Sequence, residues 1–276
     1  MSKVIRETIV AGATILRTIK VNCSEYGPRK PKANPTSEAV RTNNDRIAER
    51  NLTALLNANF FPGDLHITLT YEELLSEEEQ KAELNKFLRR MKREFKKADR
   101  EFRYVHATEY ENHRPHHHIV MSYIDLPVIH KQWKQGRIYS SMLDTSRNYA
   151  TLASYLIKET NKTFREAGNA MKCRYHCSRN LDRPIIVREV MSSIQLFEKP
   201  TEIKGYSIDE DSIRYYQHPF TAMEHLEYLM ISTDPVPRVK KWRKGKRMKR
   251  GESFRRFEEI KQLELDDFGE YEWGTI

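Results

Sequence analysis

Apolar and polar positions change their spacing several times along the chain, and each change marks an element. In "DLHITLTY" Leu65, Ile67, Leu69 and Tyr71 alternate with His66, Thr68 and Thr70, the period-two pattern of a half-buried strand. Ser76 followed by Glu79 has the spacing of a capping box. Behind it Leu84, Phe87, Leu88, Met91 and Phe95 fall on one helical stripe, with Lys and Arg opposite. "REFRYVHATEY" and "HHHIVMSYI" are strands joined by the short "ENHRP", so they are expected to be antiparallel neighbours. "LPVIHKQW" predicts a short helix and "GRIYSSMLD" another strand. "SRNYATLASYLIKETNKTFREAG" predicts a helix with Ser146 as its cap. The order strand, helix, strand, strand, helix, strand, helix is satisfied by an α+β fold of the ferredoxin-like sandwich type. In it a central antiparallel sheet carries its helices on one face.

The flanks are less regular. Residues 1–63 read as an N-terminal extension: a loose strand pair in "ETIVAGATILRTIKVNC", the basic Pro-rich linker "YGPRKPKANPTSE", and an amphipathic helix. That helix is expected to be capped near Thr36 or Ser37 and to end before Pro62-Gly63. The compact core is expected over 64–165, and 166–276 forms a C-terminal region in which "CRYHCSRNLDRPIIVREV" suggests a loop and then a strand.

Composition narrows the class. The 276 residues are 38% hydrophobic and 32% charged, enough for a domain with a proper core. No run of 18 apolar residues exists, and charges interrupt the first twenty residues, which read as neither signal peptide nor membrane span. Three cysteines are too few for a disulfide framework, which leads to the expectation of a cytoplasmic protein. The net charge of +9 is concentrated: Arg238–Arg256 holds eleven Lys or Arg against one Glu. Such density points to a polyanionic partner, most simply nucleic acid, or to a solvated tail folded back on the acidic "LELDDFGEYEW".

The candidate chemistry lies in "EYENHRPHHHIVMS". Alternation sends His116 and His118 to one face of their strand and His117 to the other. An H-x-H pair on a rigid strand can aim two imidazoles at one metal ion, and Glu109 on the neighbouring strand can reach the same point, with Glu111 as a competing carboxylate. On the later helix, Tyr155 has Lys158 and Lys162 at i+3 and i+7, while Tyr149, Leu152, Ala153 and Leu156 turn to the core. A phenol with a pKa of about 10 is a weak nucleophile unless cations stabilise the phenolate. Cys173, His176 and Cys177 form C-x₂-H-C, too few ligands for a structural zinc site. No H-E-x-x-H and no G-x-x-x-x-G-K-[ST] loop is present, which weakens a zinc-protease reading and a fused P-loop helicase.

"HITLTY", then "TEY" with "RPHHHIVMS", then "YLIKE" resemble, in order and spacing, the three motifs of the HUH endonucleases. The likeness is greatest to rolling-circle replication initiators of small phages and plasmids, and it covers roughly 64–165. That family usually has a hydrophobic residue between its two metal histidines. Here His117 stands there, and an imidazole facing an apolar layer needs its polar atoms satisfied. Thr151 lies one turn before Tyr155, so a one-tyrosine enzyme is expected.

The resemblance implies that His116, His118 and Glu109 hold Mg²⁺ or Mn²⁺, and that Tyr155 cuts single-stranded DNA at an origin hairpin to give a 5′-phosphotyrosine. Lys158 would assist the catalytic Tyr155, and Arg114, Lys162, Lys240, Lys241, Arg243 and Lys244 would contact DNA. A host helicase and a host polymerase would be partners. Related roles are a transposase, a mobilisation relaxase, or an origin-binding repressor that does not cut.

Overall fold

The computed structural model describes residues 3–22, 38–73, 75–111, 114–165, 173–191, 199–217 and 223–234. In chain order the elements are β1 (Lys3–Ala11), β2 (Thr14–Asn22), α1 (Glu38–Asn59), β3 (Leu65–Leu69), α2 (Glu77–Lys97), β4 (Tyr104–Glu111), β5 (Arg114–Met121) and α3 (Leu126–Gln132). They continue with β6 (Ile138–Met142), α4 (Ala150–Arg165), β7 (His176–Cys177), β8 (Ile185–Met191), β9 (Tyr206–Gln217) and β10 (Glu224–Ser232). The chain is α+β, with two antiparallel five-stranded sheets, each in a separate compact unit.

The sheet that carries the motifs has the order β6-β3-β5-β4-β7. Its strands follow from the alternation: Leu65, Ile67 and Leu69 of β3 and Ile119 and Met121 of β5 are all buried against Leu84, Phe87, Met91 and Phe95 of α2. Each of those aromatic or aliphatic side chains removes enough surface from water to contribute about 2 kcal/mol. The capping box is formed, with the Ser76 hydroxyl accepting from the Glu79 amide and the Glu79 carboxylate accepting from the Ser76 amide. Ile129 of α3 and Trp133 join the same layer.

The helices were expected on one face, and they cover both. Val105 of β4 and Val120 of β5 point away from α2 and are buried with Leu52, Leu55 and Leu56 of α1 and Ala153, Leu156 and Ile157 of α4. The reason is local: "IVM" at 119–121 is apolar on both sides of the strand, so each side needs a cover. Thus α1 belongs to this unit rather than standing apart from it. Its expected caps, Thr36 and Ser37, lie outside the described residues. Helix α4 does not start from Ser146. The Ser146 hydroxyl is turned to Asp144, at 2.5 Å, and Asn148 supplies the cap-like acceptor for the Ala150 amide.

The second sheet, β8-β1-β2-β10-β9, joins the beginning of the chain to strands almost two hundred residues later. The β1–β2 hairpin was visible in the sequence, and Gly12 takes the positive φ its turn requires. Strands β9 and β10 were not anticipated. Val4, Val10, Ile15, Ile19, Leu226, Tyr228 and Met230 form this sheet's own core. Among the described residues no helix is long and apolar enough to cross a membrane.

Candidate active site

The register of three strands builds the site. Thr68 of β3 pairs with His118 of β5, His118 pairs with Ala107 of β4, and Glu109 pairs with His116. Directly opposed residues share a face of the sheet, so Thr68, His116, His118 and Glu109 lie on the side covered by α4. There the His118 Nε2 stands 3.1 Å from the Glu109 Oε2, and its Nδ1 stands 3.2 Å from the Thr68 Oγ1. Both His118 and Glu109 are 4% exposed. Burial, reinforced by the neighbouring His66 and His116, pushes the His118 pKa down to about 4, so the imidazole is neutral near pH 7.

A neutral imidazole has one N–H and one lone pair. If Nδ1 donates to Thr68, the Nε2 lone pair faces a carboxylate, an arrangement that a bound cation would satisfy. Two donors about 3.0 Å apart are also what adjacent positions of an octahedral shell with bonds of about 2.1 Å require. The chemistry of this pair therefore fits a hard divalent ion. Among the described residues, however, no group of three or more His, Cys, Asp and Glu is assembled to hold one. His116 shares the face and the register and is partly buried, but it does not complete a triad.

Helix α4 contributes Tyr155. Its ring meets the His118 ring edge-on at 5.3 Å and is 42% exposed, so one side leans on the site and the other is open. Lys158 lies one turn on and is exposed. Tyr149, Ala153 and Leu156 are buried and Leu152 partly so, the core stripe expected for this helix. The side chains of Glu111, Arg114 and Lys162, and the whole of Lys240, Lys241, Arg243 and Lys244, lie outside what the structure describes.

His117 points to the α2 side, where its polar atoms are fully used. Nε2 is 2.9 Å from the Tyr71 hydroxyl and Nδ1 is 2.9 Å from the Thr108 hydroxyl. The Tyr71 hydroxyl donates to the Gln80 carbonyl, so its oxygen accepts from the His117 Nε2–H and leaves Nδ1 to accept from Thr108. Burial lowers the His117 pKa to about 3 and keeps the ring neutral. It is a structural residue of the layer beneath the site rather than a third ligand.

His66 was not singled out from the sequence. It stacks on His118 at 5.6 Å, and its buried Nε2 has no hydrogen-bond partner. The signal was present in "HITLTY", where alternation puts His66 on the same polar face as Thr68.

Residues 64–164 match the family of replication-associated proteins of the ORF2 type. The matched stretch begins just before β3, ends at the last turn of α4, and contains every element that builds the site. The match supports a replication-initiator family and a role in DNA replication. No curated protein and no solved structure matches the chain significantly.

Proposed function

We propose that the chain is a rolling-circle replication initiator that nicks and rejoins single-stranded DNA through a 5′-phosphotyrosine. The observation that carries this reading is the half-exposed phenol of Tyr155 set edge-on against His118 of the buried His118–Glu109 pair.

The Tyr155 hydroxyl attacks a backbone phosphorus and releases its proton to solvent. A tyrosyl O–P bond forms and the P–O3′ bond breaks. The departing 3′ oxygen takes up a proton and remains a 3′-hydroxyl that a host polymerase can extend. The exchange of one phosphodiester for another keeps the bond available for rejoining. Lys158, exposed one turn from Tyr155, stabilises the phenolate and the charge that develops on the phosphoryl oxygens. Glu109 and His118, with His116, would hold Mg²⁺ or Mn²⁺, which when bound supplies Lewis acidity at the phosphate. Thr68 fixes the His118 ring in the orientation this needs. A host helicase would open the displaced strand, since the chain has no P-loop.

Single-stranded oligonucleotides spanning the candidate origin, incubated with Mn²⁺ or with EDTA, test the reading on a denaturing gel. The expected result is a metal-dependent DNA–protein adduct that disappears in Tyr155→Phe. Cleavage without an adduct would make water the nucleophile. Binding with neither product would identify a repressor.

A further inference from the structure

Strand β6 lies at one end of the sheet, next to β3, and its side chains face the site by register. Tyr139 pairs with Thr68, which pairs with His118. Tyr139, Thr68 and His118 therefore stand in one row on one face, with Tyr139 about 10 Å from His118 across two strand spacings. Tyr139 is 58% exposed, an unusual position for a large aromatic beside a buried polar site. Arg137, two residues earlier, belongs to the same face by alternation. It is exposed and makes no ion pair among the described residues.

This edge is held firmly. The Thr70 amide donates to the Arg137 carbonyl at 3.0 Å, and the Arg137 amide donates to the Thr70 hydroxyl at 3.0 Å. The Trp133 indole N–H donates to the Thr70 carbonyl at 3.0 Å. The backbone of Gly136 passes so close to that carbonyl that a Cβ would collide with it. Ile138, between the two outward residues, packs into the α2 layer. The exposed pair is thus presented from an anchored strand.

We infer that Arg137 and Tyr139 form a nucleotide-binding strip for the single strand entering the Tyr155 site, Tyr139 stacking on a base and Arg137 pairing with an adjacent phosphate. An aromatic face accepts any base, and a guanidinium matches a phosphate in shape and charge. A span of about 10 Å from His118 puts the stacked base one to two nucleotides from the phosphate that Tyr155 attacks. The assignment of the occupant rests on the nicking reading above.

The test measures binding of a short oligothymidylate to the full chain by fluorescence anisotropy, with EDTA present, for Tyr139→Ala, Tyr139→Phe, Arg137→Ala and Arg137→Lys. Tyr139→Ala should weaken binding about ten-fold and Tyr139→Phe should leave it nearly unchanged. Arg137→Ala should weaken binding about ten-fold and reduce the slope of log affinity against log salt by about 0.7, while Arg137→Lys restores most of both. Duplex DNA of the same length should be little affected by Tyr139→Ala. Wild-type affinity in Tyr139→Ala and Arg137→Ala, equal loss for duplex and single strand in Tyr139→Ala, or no binding by the parent chain would each overturn the strip. Adduct formation by Tyr155, measured in parallel, separates the two ideas. An intact adduct with unchanged binding in the strip variants sinks the strip alone. Weakened binding in a protein that forms no adduct sinks the nicking reading alone.

Discussion

Removing the His117 ring tests the hydrogen-bonded layer beneath the site without touching the site itself. His117→Ala takes away the acceptor for the Thr108 hydroxyl and the donor to the Tyr71 oxygen, each bond 2.9 Å long. Two such bonds contribute about 1 kcal/mol each, and the vacated ring space at a residue 2% exposed adds a cavity term of about 1–2 kcal/mol. The expected loss is about 3–4 kcal/mol, a large share of a typical stability of about 5–15 kcal/mol. Urea unfolding at pH 7, followed by far-UV circular dichroism, measures it. His117→Leu refills most of the space and should cost about half as much, because Thr108 alone is then left without its acceptor. A cycle of Tyr71→Phe with His117→Leu should show a coupling of about 1 kcal/mol. Because His117 faces α2 and Tyr155 lies on the other side of the sheet, His117→Leu should form adduct at the parent rate. A cost below about 1 kcal/mol for the alanine variant, or a coupling of zero, would refute the assigned network. Loss of adduct in a folded leucine variant would return His117 to the site.

Acid should destabilise the protein well above the usual carboxylate range. Burial holds His66 and His118 at about 4 and His106 and His117 at about 3, so from about pH 6.5 downward the unfolded chain binds protons that the folded chain refuses. Asp64, raised by burial to about 6, works in the opposite sense and offsets about one histidine. In EDTA the urea midpoint should fall steeply from about pH 6.5 to about pH 4, each histidine contributing up to about 1.4 kcal/mol per pH unit; a flat profile would contradict the burial. Gly136→Ala should lower stability by about 1–3 kcal/mol in thermal unfolding, since the new Cβ meets the Thr70 carbonyl, and an unchanged Tm would show that the loop yields freely. Glu109→Gln keeps the size of the side chain beside His118 but removes its charge. Calorimetric titration with Mn²⁺ should show affinity lower by roughly ten-fold or more, and parent-like affinity would exclude Glu109 as a ligand.

Local patterns were enough for the elements that touch the site. The period-two run at 64–71, the capping box at Ser76 and the stripe from Leu84 to Phe95 are decided by neighbours in sequence, and the structure forms each of them. The same alternation set His117 apart from His116 and His118, because which side a strand residue faces depends only on its position in the strand. The separation of Tyr155 from the buried stripe of α4 was legible for the same reason.

Contacts between distant segments were decided only by the tertiary structure. Nothing local in 3–22 indicates that β1 takes β8 and β2 takes β10 as partners, since exposed strand edges offer the same hydrogen-bonding groups to many segments. The placement of α1 over Val105 and Val120 depends on which apolar face remains uncovered once α2 has docked. Register across β6, β3 and β5, which no single segment carries, put His66 against His118 and brought Tyr139 into the row with Thr68 and His118. The residues of the chemistry were thus written in short motifs, while their distances and the surface around them arose from pairings that only the folded chain selects.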